Sequence, residues 1–324
     1  MNLLNKIEIL DFMRKSVAPS LSAIKKKNIR NQEKTKEMNQ ILDVLRNSLF
    51  EEIDMYYNNE VHYPNKTAAA FLVYYCWVIV SLECRNTLWN YESMDLSRRS
   101  GELWESLLKQ CWSYPVFNTV KRFIAPDFMD VAEGIKSAFN NKLHNKQIEA
   151  NIVREISTEY STMWSILGDS INLNSDELFE TTFNEHGNLE VSDKKYIIDF
   201  KGSYGSNEKG NKERLLTVAR IYNLLNKYNL TDKEFNCILA VRTVEAGGHN
   251  YLRQLESSKL WSVLRGNEVY EMIFEFTGFD ILSFVKEKDL QIMKDLNEET
   301  AEYMKSKITS KQNKTFADHY LTWW

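Results

Sequence analysis

Apolar positions recur at helical spacing through roughly the first sixty residues: Ile7, Leu10, Met13 and Val17, then Ile41, Val44, Leu45 and Leu49. Residues three and four apart share one face of a helix, so these sets predict two amphipathic helices with polar outer sides. Pro64 and Asn65 interrupt the pattern, and from Thr67 to about Trp89 the chain is apolar on nearly every side. A helix without a polar face has to be enclosed by other elements, which places this one at the centre of a helical layer. Its longest apolar run, Ala68 to Leu82, contains two tyrosines and is shorter than the roughly 20 residues that cross a bilayer. It predicts burial in protein, with no membrane partner. Asp95 or Ser97 then caps a helix through Glu105. Further helices are expected around Val120 to Phe123, Val131 to Phe139 and Ile148 to Leu167, with breaks at Pro115 and Pro126.

The period changes near residue 178. Leu178 to Phe183, Leu189 to Val191 and Lys195 to Phe200 are short, β-prone and separated by turn formers such as Asn184 to Asn188. They predict a β-meander. Helical spacing returns from Glu213 to Tyr228, with Leu215, Val218, Tyr222 and Leu225 on one side. Phe235 to Arg242 is a compact apolar run with β-branched residues, the pattern of a strand covered on both faces. Trp261 to Phe274 and Phe279 to Val285 predict helical or mixed packing elements. A polar helical tail follows, ending in Trp323 and Trp324, which dock on the body or on a second subunit. The fold class is therefore α/β (α+β): a helix-rich N-terminal half followed by a mixed β-sheet core flanked by helices. The expected division is a helical region over 1–94, a core with a helical insertion over 95–285, and a helical tail over 286–324.

Composition narrows the class. The chain has 324 residues, 43% hydrophobic and 12% aromatic, with only 11 Gly and 4 Pro, which excludes a disordered or linker-rich protein. Cys76, Cys84, Cys111 and Cys237 lie in apolar surroundings without C-x-x-C spacing, so reduced core thiols and a cytoplasmic location are expected. The N-terminal residues continue into an amphipathic pattern containing acids, unlike a cleavable leader. A net charge of −4 argues against a basic coat for nucleic acid. Locally the balance reverses: Lys194 to Arg214 holds six bases against three acids.

Candidate chemistry concentrates there. Ile197-Ile198-Asp199-Phe200-Lys201 is an apolar run delivering an acid and a lysine two positions apart, which in a strand share one face. Asp199 suits a divalent cation, and Lys201 can steady an attacking water or a phosphate oxygen gaining charge. The following loop carries Ser206, Asn207, Lys209 and Asn211, small polar groups suited to a sugar-phosphate backbone. Beyond the buried strand, a polar segment offers Arg242, His249, Asn250 and Arg253 as donors for base edges, at the strand end where open sheets place ligands. Glu102 and Glu105 share a helix face crowded by Arg98, Arg99 and Trp104, a pattern that fits an acidic site or a solvated surface.

Through Asp199-Phe200-Lys201, the preceding hairpin and the loop after it, the chain resembles the PD-(D/E)XK nucleases, in particular type II restriction endonucleases, over about residues 95 to 285. In that superfamily a first acid begins one strand of a hairpin, and a second acid and a lysine end the next. Asp199 and Lys201 match the second half. Ser175-Asp176-Glu177-Leu178-Phe179 is similar to the first, with Ser175 where the family has proline and with Glu185 and Glu190 as alternatives to Asp176. The helix bearing Glu102, with Glu105 behind it, is similar to one that supplies a further acid in many members. The resemblance implies a PD-(D/E)XK-type sheet core and Mg2+ held by Asp176 and Asp199. It further implies Lys201 as the residue that orients or activates water, and Glu102 completing the acidic set. The implied activity is site-specific cleavage of double-stranded DNA by a homodimer in a restriction-modification system. Rival expectations are a structure-selective repair or recombination nuclease on the same fold, and a non-catalytic DNA-binding protein whose hairpin acids are structural.

Overall fold

A computed structural model describes residues 1–58, 64–117, 120–144, 173, 175–181, 194–202, 209–244, 249–309 and 313–324. The chain divides into two compact units: Met1–Asn118 together with Gly266–Trp324, and the intervening Thr119–Arg265. The divisions expected at 94/95 and 285/286 both fall inside the first unit.

That first unit is helical. It contains α1 (Lys6–Lys26), α2 (Asn31–Tyr56), α3 (Pro64–Leu88), α4 (Ser93–Leu108) and the short α5 (Gln110–Ser113). Asn5 starts α1 by accepting from the amides of Ile7 and Glu8, which would otherwise lack partners. As its apolar circumference predicts, α3 is the core, packed by α1, α2, α4 and α5. By length and hydropathy α3 could span a membrane, yet 94% of its most apolar window is buried in protein.

Of the expected stripes, Leu10, Met13 and Val17 on α1 and Leu49 on α2 are buried, and the outliers are Ile7 and Val44. Ile9 is buried where Ile7 is 69% exposed, and α2 buries Met38, Leu42, Leu49 and Ile53 while Val44 is 71% exposed. Each helix has more apolar positions than the core accepts, and those turned away from it are left exposed.

The remainder of this unit comes from the far end of the chain. It comprises α9 (Asn267–Thr277), α10 (Ile281–Glu287), α11 (Ile292–Asp295), α12 (Glu298–Ser306) and α13 (Phe316–Tyr320). Polar side chains fasten these helices to the first ones. Asp295 accepts from Lys6 at 2.7 Å and from the Tyr75 hydroxyl at 2.5 Å. Glu83 takes a two-pronged contact from Arg14, at 2.5 and 3.0 Å, and the Asn297 amide at 2.7 Å. Trp104 donates to the Tyr270 hydroxyl, Trp323 to Ser100 and Trp324 to the Leu290 carbonyl. The terminal tryptophans thus dock on their own unit.

The second unit is a five-stranded sheet in the order β1-β2-β3-β4-β5. Its strands are β1 (Val120–Arg122), β2 (Glu177–Thr181), β3 (Lys194–Lys201), β4 (Glu234–Val241) and β5 (Trp261–Arg265). β1, β2 and β3 are antiparallel neighbours, whereas β4 and β5 extend the sheet in parallel. Parallel neighbours need a crossover, and α7 (Lys209–Lys227) and α8 (His249–Ser257) lie in those connections, with α6 (Phe128–His144) between β1 and β2.

Val120–Arg122, expected as helix, is an edge strand. Three residues are too few to reveal a period, and Arg122 reaches diagonally across the ladder to Glu177 at 3.0 Å. Trp261 to Phe274 likewise splits into β5 and α9 at Gly266, whose φ is +54°. The expected helix over Ile148 to Leu167 and strand over Leu189 to Val191 lie outside the described residues.

One face of the sheet, with Leu178, Ile197, Phe235, Leu239 and Val241, packs against α6, α7 and α8 through residues such as Ile135, Leu215, Tyr222 and Leu255. Side chains alternate along a strand, so Asp199 and Lys201 follow Ile197 on that same face. This fixes where the site lies.

Candidate active site

Glu177 pairs with Ile198 in the antiparallel ladder. One further step sets Asp176 opposite Asp199, and the Asp176 carboxylate accepts from the Phe200 amide at 2.7 Å. An acid entering β2 and an acid leaving β3 therefore converge at one end of the sheet. Asp199 is almost fully enclosed, its side chain 3% exposed, and two cations hold it: Lys201 at 2.6 Å from one oxygen and Arg214 at 2.5 Å from the other. Lys201 arrives by the same-face rule of the strand. Arg214 comes from the second turn of α7, the helix that follows the loop after β3. Together Asp176, Asp199, Lys201 and Arg214 carry no net charge.

The turn after Lys201 is pinned from β4. The Arg242 amide donates to the Lys201 carbonyl at 2.9 Å, and Arg242 Nε and the Thr243 hydroxyl both donate to the Gly202 carbonyl, at 2.9 and 3.1 Å. Arg242, expected to read base edges, is only 8% exposed. Its Nε is spent on the protein's own main chain. On α7, Lys212 is also buried and donates to Gln254 of α8 at 2.8 Å, tying the two helices together.

The segment expected as a polar loop is helical from His249 onward, because Leu252 and Leu255 bury one side of α8 in the core. Asn250 and Arg253 are exposed, and lying three apart they share a face. Glu185, Glu190, Ser206 and Asn207 lie outside the described residues, as do the side chains of Lys209, Asn211 and His249. Glu102 belongs to the helical unit, where it is exposed on α4 and pairs with Arg98 at 3.9 Å and Arg99 at 3.6 Å. Glu105 lies one turn further along α4 and is half-buried.

Among the described residues no three His, Cys, Asp or Glu side chains gather as a ready metal cage. Two neighbouring carboxylates nevertheless fit Mg2+, which takes few protein oxygens and completes its octahedron with water and phosphate. For Asp199 to act as a ligand, one of its cationic partners has to yield an oxygen. Arg214, 40% exposed, is better placed to leave than Lys201 at 19%.

Sequence reasoning did not single out Arg214. Its signal was position alone, a basic residue near the start of the helix that follows the Lys201 loop. Compared with known protein families, curated proteins and solved structures, the chain matches none.

Proposed function

We propose that the chain is a magnesium-dependent endonuclease that hydrolyses phosphodiester bonds at a specific site in double-stranded DNA, working as a two-fold dimer on a symmetric sequence. One observation carries the reading: Asp176 enters β2 beside Asp199-x-Lys201 leaving β3, and its carboxylate accepts from the amide of Phe200, the residue next to Asp199. It supports the resemblance to the PD-(D/E)XK nucleases, in which two acids and a lysine lie on neighbouring strands.

Asp176 and Asp199 would hold Mg2+, which supplies a Lewis acid for the phosphoryl oxygen and acidifies a bound water. Lys201, held by its strand on the same face, presents an ammonium that orients the water or offsets charge on a non-bridging oxygen. Arg214, released from Asp199, is positioned to receive the phosphate. Arg242 fixes the turn that keeps Lys201 in register with Asp199. Asn250 and Arg253, exposed on α8 beyond the strand end, are the groups assigned to base edges. A site-specific enzyme needs positive charge only where phosphates lie, which is consistent with a net charge of −4.

A non-catalytic DNA-binding role is the second reading, and the Lys201–Asp199–Arg214 triad favours it, since a neutralised buried acid also suits a purely structural part. The deciding experiment is digestion of a sequenced plasmid in Mg2+ with mapping of the ends. A few discrete fragments, lost in Asp176→Ala and Asp199→Ala, support the nuclease. Intact plasmid, or identical fragments from the Asp199→Ala protein, would refute it. Cutting confined to branched or flapped DNA indicates a structure-selective enzyme instead.

A further inference from the structure

The helical unit contains a cleft of about 750 Å3 between α2, the end of α3 and α4. That volume lies within the range of small-molecule sites, about 300–1,000 Å3. Polar residues of α2 form one wall, with Lys36, Asn39 and Gln40 at helical spacing. The opposite wall carries Arg98 and Arg99, the arginine pair noted in the sequence, for which the proposed nuclease site has no use.

The floor is unusual in its chemistry. Arg85 lies between two aromatic rings, 4.2 Å from the Trp89 centroid and 4.8 Å from that of Tyr91. Its side chain is 10% exposed, its acidic partner Asp95 stands off at 3.7 Å, and Nη1 is buried with no hydrogen-bond partner. Burial draws its pKa below the ordinary arginine value, a sign that the charge is under-compensated. Arg98 and Arg99 share a single acid, Glu102, at 3.9 and 3.6 Å, beyond hydrogen-bond length, and Arg99 also donates to the neutral Ser81 hydroxyl at 3.2 Å and lies 5.7 Å from the Trp77 ring centroid. The cleft therefore holds guanidinium groups whose charges the protein itself only loosely answers.

We propose that this cleft binds a nucleotide, its phosphate taken by Arg98, Arg99 and Lys36 and its base set against Trp89 and the amides of Asn39 and Gln40. A phosphate matches the fork of donors on arginine. Trp89 carries the Arg85 guanidinium over its ring but is still 38% exposed, and that exposed surface is offered to a flat base, while carboxamides pair with base edges in two-pronged fashion. An apolar ligand would leave the cations of the two walls, Lys36, Arg98 and Arg99, unanswered, and a bare anion would leave the aromatic and amide walls unused. The nucleotide can be a free molecule or one unit of a single strand. The proposal stands apart from the nuclease reading, since no residue of the sheet unit enters it.

The test is calorimetric titration of the Asp199→Ala protein, which removes turnover of nucleic acid. The probes are the common deoxynucleoside monophosphates, deoxyadenosine, inorganic phosphate and a short single-stranded oligodeoxynucleotide. At least one monophosphate or the oligonucleotide should bind at least tenfold more tightly than deoxyadenosine or phosphate alone. Arg98→Gln and Trp89→Leu should each weaken that binding tenfold or more. Binding of a monophosphate identifies a free nucleotide as the ligand; binding of the oligonucleotide alone identifies a strand. Should Trp89→Leu fail to fold, Arg98→Gln carries the test, because that side chain is 77% exposed. Three results would each overturn the proposal: no binding by any probe, phosphate binding as tightly as the nucleotides, or affinities unchanged in both variants.

Discussion

Replacing Arg214 by glutamine separates a metal ligand from a structural acid at Asp199. In the structure the guanidinium occupies an Asp199 oxygen at 2.5 Å, so a cation that binds there has to displace it. Two unit charges about 4 Å apart attract by ~4 kcal/mol at an effective dielectric of 20. Arg214 is 40% exposed, and exposed pairs contribute only ~0.2–1 kcal/mol once solvent and salt screen them. A value of about 1.4 kcal/mol lies between these limits and corresponds to a factor of ten. Arg214→Gln should therefore bind Mg2+ or Mn2+ about tenfold more tightly than the parent protein, measured calorimetrically without DNA. Its single-turnover cleavage should nevertheless slow by about 10²-fold or more, as expected when a donor to the developing charge is lost. Lys201 remains on Asp199, so stability should fall by no more than about 1 kcal/mol. Metal affinity that is unchanged or weaker would show that Arg214 does not compete for the ligand oxygen, and the reasoning would fail.

Lys201→Met should fold and bind its DNA site yet cleave at least about a hundredfold more slowly; a rate within about threefold of wild type would remove Lys201 from the chemistry. Glu83→Ala removes a carboxylate only 6% exposed that serves both Arg14 and the Asn297 amide, leaving Arg14 its bond to the Asp295 carbonyl at 2.6 Å. Because Arg14 is itself 34% exposed, the expected loss in urea unfolding is about 2–3 kcal/mol, short of the value for a wholly buried pair. A loss under about 0.5 kcal/mol would show that the clamp contributes little. Gly278 has φ of +74°, and an added Cβ would stand 2.8 Å from the Phe117 ring. Gly278→Ala should therefore cost about 2 kcal/mol or more by the same measurement, and an unchanged midpoint would contradict that geometry. Burial pushes the thiols of Cys84 and Cys237 up to about 12, and Cys76 higher still. At pH 8 a thiol-disulfide reagent should leave these three unmodified in the native protein and react with them in denaturant; rapid native labelling would place one of them at the surface.

Much of this architecture is legible along the chain, for reasons visible in particular residues. The all-round apolar surface of α3 has one physical solution, enclosure. The short runs ending at Phe200 and Val241 are strands because nothing longer fits between their turns. That Asp199 and Lys201 share a face follows from the two-residue period of a strand. Arg214 could not be found in that way, since its approach to Asp199 depends on how α7 lies on the sheet. The burial of Arg242 is hidden from the sequence for a related reason. An arginine at the end of an apolar strand looks like a donor for solvent or ligand, and only the fold shows the Gly202 carbonyl waiting for it. In α1 and α2 the apolar residues outnumber the positions the core accepts, so local spacing leaves the register open. The partition into units is the least local property of all, held by pairs such as Lys6 with Asp295 and Ser100 with Trp323.

The sheet unit lies in the chain between the two parts of the helical unit, and this orders events during synthesis. A ribosome releases α1 to α5 before the rest, but the partners of Lys6, Tyr75 and Trp104 are still unmade. The strands and their crossover helices emerge next as one uninterrupted stretch, free to close on themselves. The first helices must meanwhile wait, with apolar surface uncovered, for the final sixty or so residues. Domains generally fold as units while the chain grows, and surface left exposed during that interval invites aggregation. Here α1 to α5 are made before the sheet unit but completed after it, so a premature stop near residue 290 would strand those helices half-built while sparing the sheet.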